Sequence, residues 1–148
     1  MDKEVKDDLL ARLLQEQGHI CAYCMKRIPE NRKLPIGVAP VTIEHWYPRN
    51  PESKGDIGQG LDYKNMLAVC SGNRGCGNRE AMTCDARRGN DSIKVNPCDA
   101  ETLYGITYTS SGIIKSSDPE IDADINERLN LNSEISSLPE NRKRVLQT

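Results

Sequence analysis

The chain has 148 residues, a net charge of −2, six cysteines, two histidines and no phenylalanine. That length fits one domain with a modest core, and the scarcity of aromatics makes a metal-stapled subregion more plausible. The acidic balance argues against a binder that coats nucleic acid through bulk positive charge, so any basic surface must be local.

The opening string MDKEVKDDLLARLLQEQG carries charges throughout and holds no apolar run long enough for a signal peptide or a membrane span. A cytoplasmic location without a membrane partner is the expectation. In a reducing compartment six cysteines are expected to hold metal or stay free rather than form bridges. Val5, Leu9, Leu10, Leu13 and Leu14 recur at helical spacing, which predicts an amphipathic helix from Lys3 to Gln17, stopped by Gly18. His19 to Ile28 then reads as a zinc knuckle, with Cys21 and Cys24 on one tight turn. The following stretch through Pro40 reads as loop.

Val41-Thr42-Ile43 is a short β-rich run leading into Glu44-His45, which places His45 at the end of a strand. A loop is expected from Pro48 to Gly60. Asp62 to Cys70 starts polar and turns apolar, as a turn feeding a second strand would, and a glycine-rich loop through Asn78 follows. Cys84 to Gly89 predicts a short helix. Beyond it, residues 105–109 and 112–115 flank a Ser-Ser-Gly turn as a hairpin. Asp118 is an N-cap followed by Pro119, with Ile121, Ile125 and Leu129 on one helix face, and a last helix begins near Pro139. Between Leu61 and Asn90 the basic side chains Lys64, Arg74, Arg79, Arg87 and Arg88 outnumber the acids, whereas Asp118 to Glu134 is acidic. The acidic half and the exposed helices are candidate docking surfaces.

Zinc favours four soft or borderline ligands in a tetrahedron, and cysteine pairs from two distant turns supply them while stapling the chain between. Cys21 and Cys24 form the first pair. Cys70 opens the second, with Cys84 preferred as its partner and Cys76 as the alternative. Cys98 is expected to be a small buried apolar group, and His19 a surface or packing residue. With only two histidines the choice of an imidazole base is narrow. His45 stands beside a carboxylate and between the two halves of the zinc site, the order of parts that a small metal-dependent nuclease requires. Arg87 and Arg88 are candidate clamps on flanking phosphates, and Trp46 is expected to be a buried aromatic beside the His45 loop.

The order C-x2-C, E-H-x-x-P, N-M-L-x-x-C, C-D-x-x-R resembles an HNH endonuclease with a zinc-stapled ββα-metal fold. IEHWYPR, followed by LDYKNMLAVCSGNRG and TCDARRGN, is similar to the PtuB-like HNH proteins of Septu and retron-associated anti-phage systems. The similarity spans about Cys21 to Asn90, with an echo in the LNLN string at Leu129 to Asn132. It implies an α+β fold: a single domain over residues 1–148, with a nuclease core at 19–90, flanking helices, and a hairpin and helical extension at 91–148 that docks partners. Relatives of this kind usually continue beyond the equivalent of Thr148.

The resemblance also implies roles. His45 would deprotonate the attacking water, and Glu44 would help to bind a catalytic Mg²⁺ or Mn²⁺ ion beside a structural Zn²⁺. Asn65 would bond backbone across the motif and steady the His loop. Asp85, where the commonest pattern has His, would be a second ligand to the catalytic cation, with Asn73 or Asn78 as alternatives. The implied partners are a DNA or RNA substrate and a PtuA-like ATPase. A non-catalytic zinc module that binds nucleic acid or protein would account for the cysteines but has no need of Glu44-His45.

Overall fold

The computed structural model describes residues 2–29, 33–48 and 62–147. In chain order the elements are α1 (Lys3–Gln17), β1 (Val41–His45), β2 (Met66–Cys70), α2 (Cys84–Arg88), α3 (Ala100–Leu103), β3 (Ile106–Tyr108), β4 (Ile114–Ser116), α4 (Pro119–Ala123) and α5 (Leu138–Leu146). The fold is mixed α+β, with two small antiparallel sheets, β1–β2 and β3–β4. No helix among the described residues is long and apolar enough to cross a membrane. Apart from Pro48, the loop expected from Pro48 to Gly60 lies outside the described residues.

Helix α1 has the bounds its periodicity predicts. The Asp2 carboxylate accepts from the Glu4 amide at its start, and Gly18, at φ 70°, closes its end in the left-handed conformation that glycine adopts without strain. Leu13 is its one buried side chain, and it packs with Met66 and Ala68. Those two residues lie on one face of β2, while Leu67 and Val69 face the main core. Strand alternation thus explains why MLAVC is apolar without a break: both of its faces are covered.

In the β1–β2 hairpin Val41 stands opposite Cys70 and His45 opposite Met66. Beyond β2, the Gln17 side chain accepts from the Ala68 amide and donates to the Ala68 carbonyl, both at 2.8 Å. A side-chain amide here does the work of a third strand and satisfies backbone groups that a bare edge would expose.

The main core runs from the knuckle through β2 to Ile121, Ile125, Leu129, Leu131 and Leu138, so residues 19–90 and 91–148 share one interior. Asp118 caps α4 by accepting from the amides of Glu120 and Ile121, and Pro119 follows it. The helix does not continue regularly. It passes into a π turn over Asp124–Arg128, in which the Leu129 amide reaches five residues back to the Asp124 carbonyl. Ile121, Ile125 and Leu129 are nonetheless all buried. The wider turn leaves Asp124 pointing inward, where its carboxylate accepts from the amides of Lys94 and Val95 and from Arg128. In the LNLN string the leucines enter the core and the asparagines hold backbone: Asn130 donates to the carbonyls of Glu80 and Met82, and Asn132 exchanges two hydrogen bonds with Ile114.

Candidate metal centre and the neighbouring His45 turn

Four cysteines meet in the interior. Cys21 and Cys24 come from the knuckle, where the Met25 amide donates to the Cys21 carbonyl and the Cys21 amide to the Lys26 carbonyl, closing a tight turn that aims both thiols one way. Cys70 ends β2 and Cys84 begins α2. The two are joined by a contact between loops. The Thr83 amide donates to the Gly72 carbonyl at 3.0 Å, and a Cβ on Gly72 would stand 2.2 Å from the Thr83 carbonyl oxygen. Only glycine allows that approach, and its φ of 58° lies in the left-handed region that also favours glycine.

The Sγ separations are 3.8 Å for Cys21–Cys84, 3.8 Å for Cys24–Cys70 and 3.9 Å for Cys70–Cys84. A zinc ion at about 2.3 Å from four sulfurs in a tetrahedron requires an edge of about 3.8 Å. All four ligand atoms lie within 4.8 Å of one another and all four residues are buried. This cluster can hold a metal ion such as zinc.

Its protons resist independent removal. Burial pushes Cys21 up, but hydrogen bonds from Cys24, Cys70 and Cys84 outweigh it and hold this thiol well below its ordinary value. Hydrogen bonding to Cys21, and burial with it, raises Cys24 and Cys84 well above theirs. A dication removes the conflict by stabilising all the thiolates together.

The remaining cysteines stand apart. Cys76, the alternative fourth ligand, is exposed, and its sulfur bonds the backbone of Asn78. Cys98 is exposed rather than buried; it sits in a turn whose amides are held by Asn96 and Asp99 rather than by packing. His19 is exposed at φ 61° and takes no part in the cluster.

Next to the thiols lies a second buried cluster. Glu44 is 5 % exposed and Arg88 2 %, and they form an ion pair at 3.1 Å. Arg88 also donates to the Tyr23 hydroxyl at 2.9 Å, the Asp91 carbonyl at 2.7 Å, the His45 carbonyl at 3.4 Å and the Trp46 carbonyl. The Tyr23 hydroxyl donates to Glu44 at 3.2 Å, and the other oxygen of Glu44 accepts from the His45 amide at 2.9 Å. Burial, then the charge of Asp85, push the Glu44 carboxyl up to about 7 against the pull of Arg88.

The geometry gives both arginines work that the sequence did not suggest. Arg88 faces inward with its donors spent on Glu44, Tyr23 and three backbone carbonyls, so no phosphate reaches it. Arg87 donates to the carbonyls of Glu127 and Arg79 and lies 3.8 Å from Glu80, tying α2 to two loops. Each carboxylate of the expected cation site has a cationic partner. Glu44 faces the Arg88 guanidinium and Asp85 bonds Arg74 at 2.9 Å. Among the described residues the four cysteines are the sole cluster of three or more metal-ligating side chains. A divalent cation held by Glu44 and Asp85 would have to compete with both arginines. Of the alternatives, Asn73 donates to the Ala81 carbonyl through its amide nitrogen and Asn78 caps the turn at Arg79–Ala81.

Asn65 lies beside the turn that follows His45 and bonds its backbone. It is buried; its side-chain oxygen accepts from the Tyr47 amide at 2.7 Å and its nitrogen donates to the Tyr47 carbonyl at 3.0 Å. Its own carbonyl accepts from Trp46 at 3.0 Å. The turn after half-buried His45 is thereby held at three points. Trp46 packs against the main core and donates to the Val95 carbonyl at 2.7 Å.

One signal for the direction of Glu44 was present in the sequence. Neighbouring strand residues point to opposite faces, and Ile43 packs beneath α1. Glu44 therefore turns toward the knuckle and α2. The sequence matches no family model and no curated protein.

Proposed function

We propose that this chain is an HNH-type endonuclease that cleaves phosphodiester bonds in nucleic acid, with His45 as the general base and the four-cysteine centre as a structural zinc site. The observation that carries the proposal is the grip of Asn65 on both backbone groups of Tyr47. A base that takes a proton from water must be held in a fixed place, and a buried amide bonded across the turn after His45 serves that purpose. Zinc supplies the staple when bound, fixing the knuckle, the end of β2 and the start of α2. Arg74, half-exposed although bonded to Asp85, is better placed than Arg87 and Arg88 to meet a phosphate. No step is assigned to Mg²⁺ or Mn²⁺.

A second reading has its own observation. Glu44, Asp85, Arg87 and Arg88 are all engaged within the protein, as suits a non-catalytic zinc module. The nuclease reading is preferred because such a module gives no reason to clamp the His45 turn. The defence setting and a PtuA-like ATPase partner rest on the resemblance of IEHWYPR and LDYKNMLAVC alone.

The test is cleavage of DNA and tRNA by the wild type and by His45→Ala, in Mg²⁺ or Mn²⁺, with and without the ATPase. Losing a positioned base is expected to lower the rate by about 10²–10⁴-fold with zinc content and melting temperature unchanged. Undiminished cleavage by His45→Ala removes the assignment. Binding without cleavage under every condition favours the module.

A further inference from the structure

In the acidic stretch Asp118 to Glu134 the three aspartates are occupied within the fold, while Glu120, Glu127 and Glu134 are exposed. Asp118 caps α4 and pairs with Lys94 at 2.6 Å, Asp122 accepts from the Ser116 amide, and Asp124 is buried. A different face is better formed. Between the knuckle, β3 and α5 runs a groove of about 460 Å³, walled by Met25, Tyr108, Leu138, Val145 and Leu146. Val145 and Leu146 are 72 % and 55 % exposed and Met25 46 %, so the apolar strip continues out of the groove along the last turn of α5.

Among the described residues the charges that line this groove have one sign: Lys26, Arg27 and Arg142 are there and no acidic side chain is, in a protein that is acidic as a whole. Arg142 is anchored by the carbonyls of Gly112 and Leu131, so its charge sits at the wall without the freedom of a surface lysine. An apolar floor with a fixed cationic wall complements a segment that is apolar on one side and acidic on the other, and helices dock in such grooves through apolar anchors three and four residues apart. A polyanionic nucleic acid would match the wall but not the floor. Among the described residues of a second copy the acidic helix α1 is not such a segment, because it already buries Leu13 and packs Leu9 and Leu14 against its own sheet.

We propose that this groove is the docking site for an acidic amphipathic helical segment of a partner protein. Neither Glu44, His45, Asn65 nor Asp85 lines it, so the proposal stands or falls independently of the nuclease reading.

The test uses the whole metal-loaded chain and three fluorescent probes. These are a synthetic helical peptide with Leu at i, i+3, i+4 and i+7 and Glu elsewhere, its twin with Lys in place of Glu, and a single-stranded DNA. The acidic peptide is expected to bind saturably and to weaken about tenfold in Arg27→Glu and again in Val145→Asp, exposed positions where the fold tolerates change. Val5→Asp, at an exposed apolar position on α1, is expected to bind as the wild type does. Four outcomes overturn the proposal: equal binding of the Lys twin, no binding of the acidic peptide at millimolar concentration, displacement of that peptide by DNA, and self-association of the wild type that Val145→Asp abolishes.

Discussion

Two buried clusters lie side by side, and they solve the same electrostatic problem in opposite ways. The thiols of Cys21, Cys24, Cys70 and Cys84 bring together groups that can only become anions. Their positive charge must come from outside. Glu44, joined to the knuckle by the Tyr23 hydroxyl, has a resident cation in Arg88. The difference teaches which part of the molecule would depend on its surroundings: a thiolate centre would need a cation such as a metal ion, whereas the Glu44 carboxylate faces the Arg88 guanidinium of the chain itself.

The comparison breaks most visibly at the thiols. Structural zinc supplies on the order of 10 kcal/mol in small zinc domains, comparable to the whole stability of a typical domain. Cys21→Ser, or complete chelation of the wild type, is therefore expected to unfold or aggregate the chain. Circular dichroism with metal analysis checks this, and a fully stable, metal-free protein would falsify the zinc assignment.

The second cluster should fail by a smaller margin and without metal loss. Arg88→Ala leaves the Glu44 carboxylate buried without its cation and is expected to cost about 3–5 kcal/mol. Arg88→Met with Glu44→Leu should recover part of that loss, because two apolar side chains leave no uncompensated charge. Denaturant midpoints measured at saturating zinc read both effects.

A finer test separates the clusters by pH. In the unfolded chain Glu44 titrates at its ordinary 4.5, and in the fold at about 7, so between these values the folded state holds the extra proton. Stability of the wild type relative to Glu44→Gln is then expected to fall as pH rises through that window, with at most the slope of one proton. The thiols titrate in both proteins and drop out of the difference. A gap that stays flat or widens with pH would show that Arg88 keeps Glu44 ionised throughout. Smallest of all, Cys76→Ser and Cys98→Ser lie outside both clusters and should change stability by no more than about 0.5 kcal/mol, with metal content intact.

Much of this arrangement was legible before folding because it is local. The period of α1, the alternation of β2, the Asp118-Pro119 cap and the Cys21–Cys24 turn each depend on neighbours in the chain. The sequence already favours Cys84 over Cys76, but the contact that brings it to the cluster, the approach of Gly72 to Thr83, is one that no spacing reveals. The directions of Arg87 and Arg88 were equally hidden. A helix of five residues is too short for periodicity to separate its faces, and a pair of arginines reads as a solvated surface until Glu44 is known to point inward. The π turn after α4 escaped because its apolar side chains keep the spacing of a regular helix while the backbone does not.

The amide of Cys84 donates to the carbonyl of Leu129 at 2.9 Å, and Cys84 holds a φ of 53°, where residues other than glycine are uncommon. Synthesis runs from the amino end, so all four thiols leave the ribosome before Leu129 does. A nascent chain therefore has a complete set of sulfur ligands before it has the acceptor that fixes the last of them. The four thiols and the latch on that corner thus come from different stretches of the chain, and a fragment cut after Asn90 would hold all four cysteines but not the Leu129 acceptor.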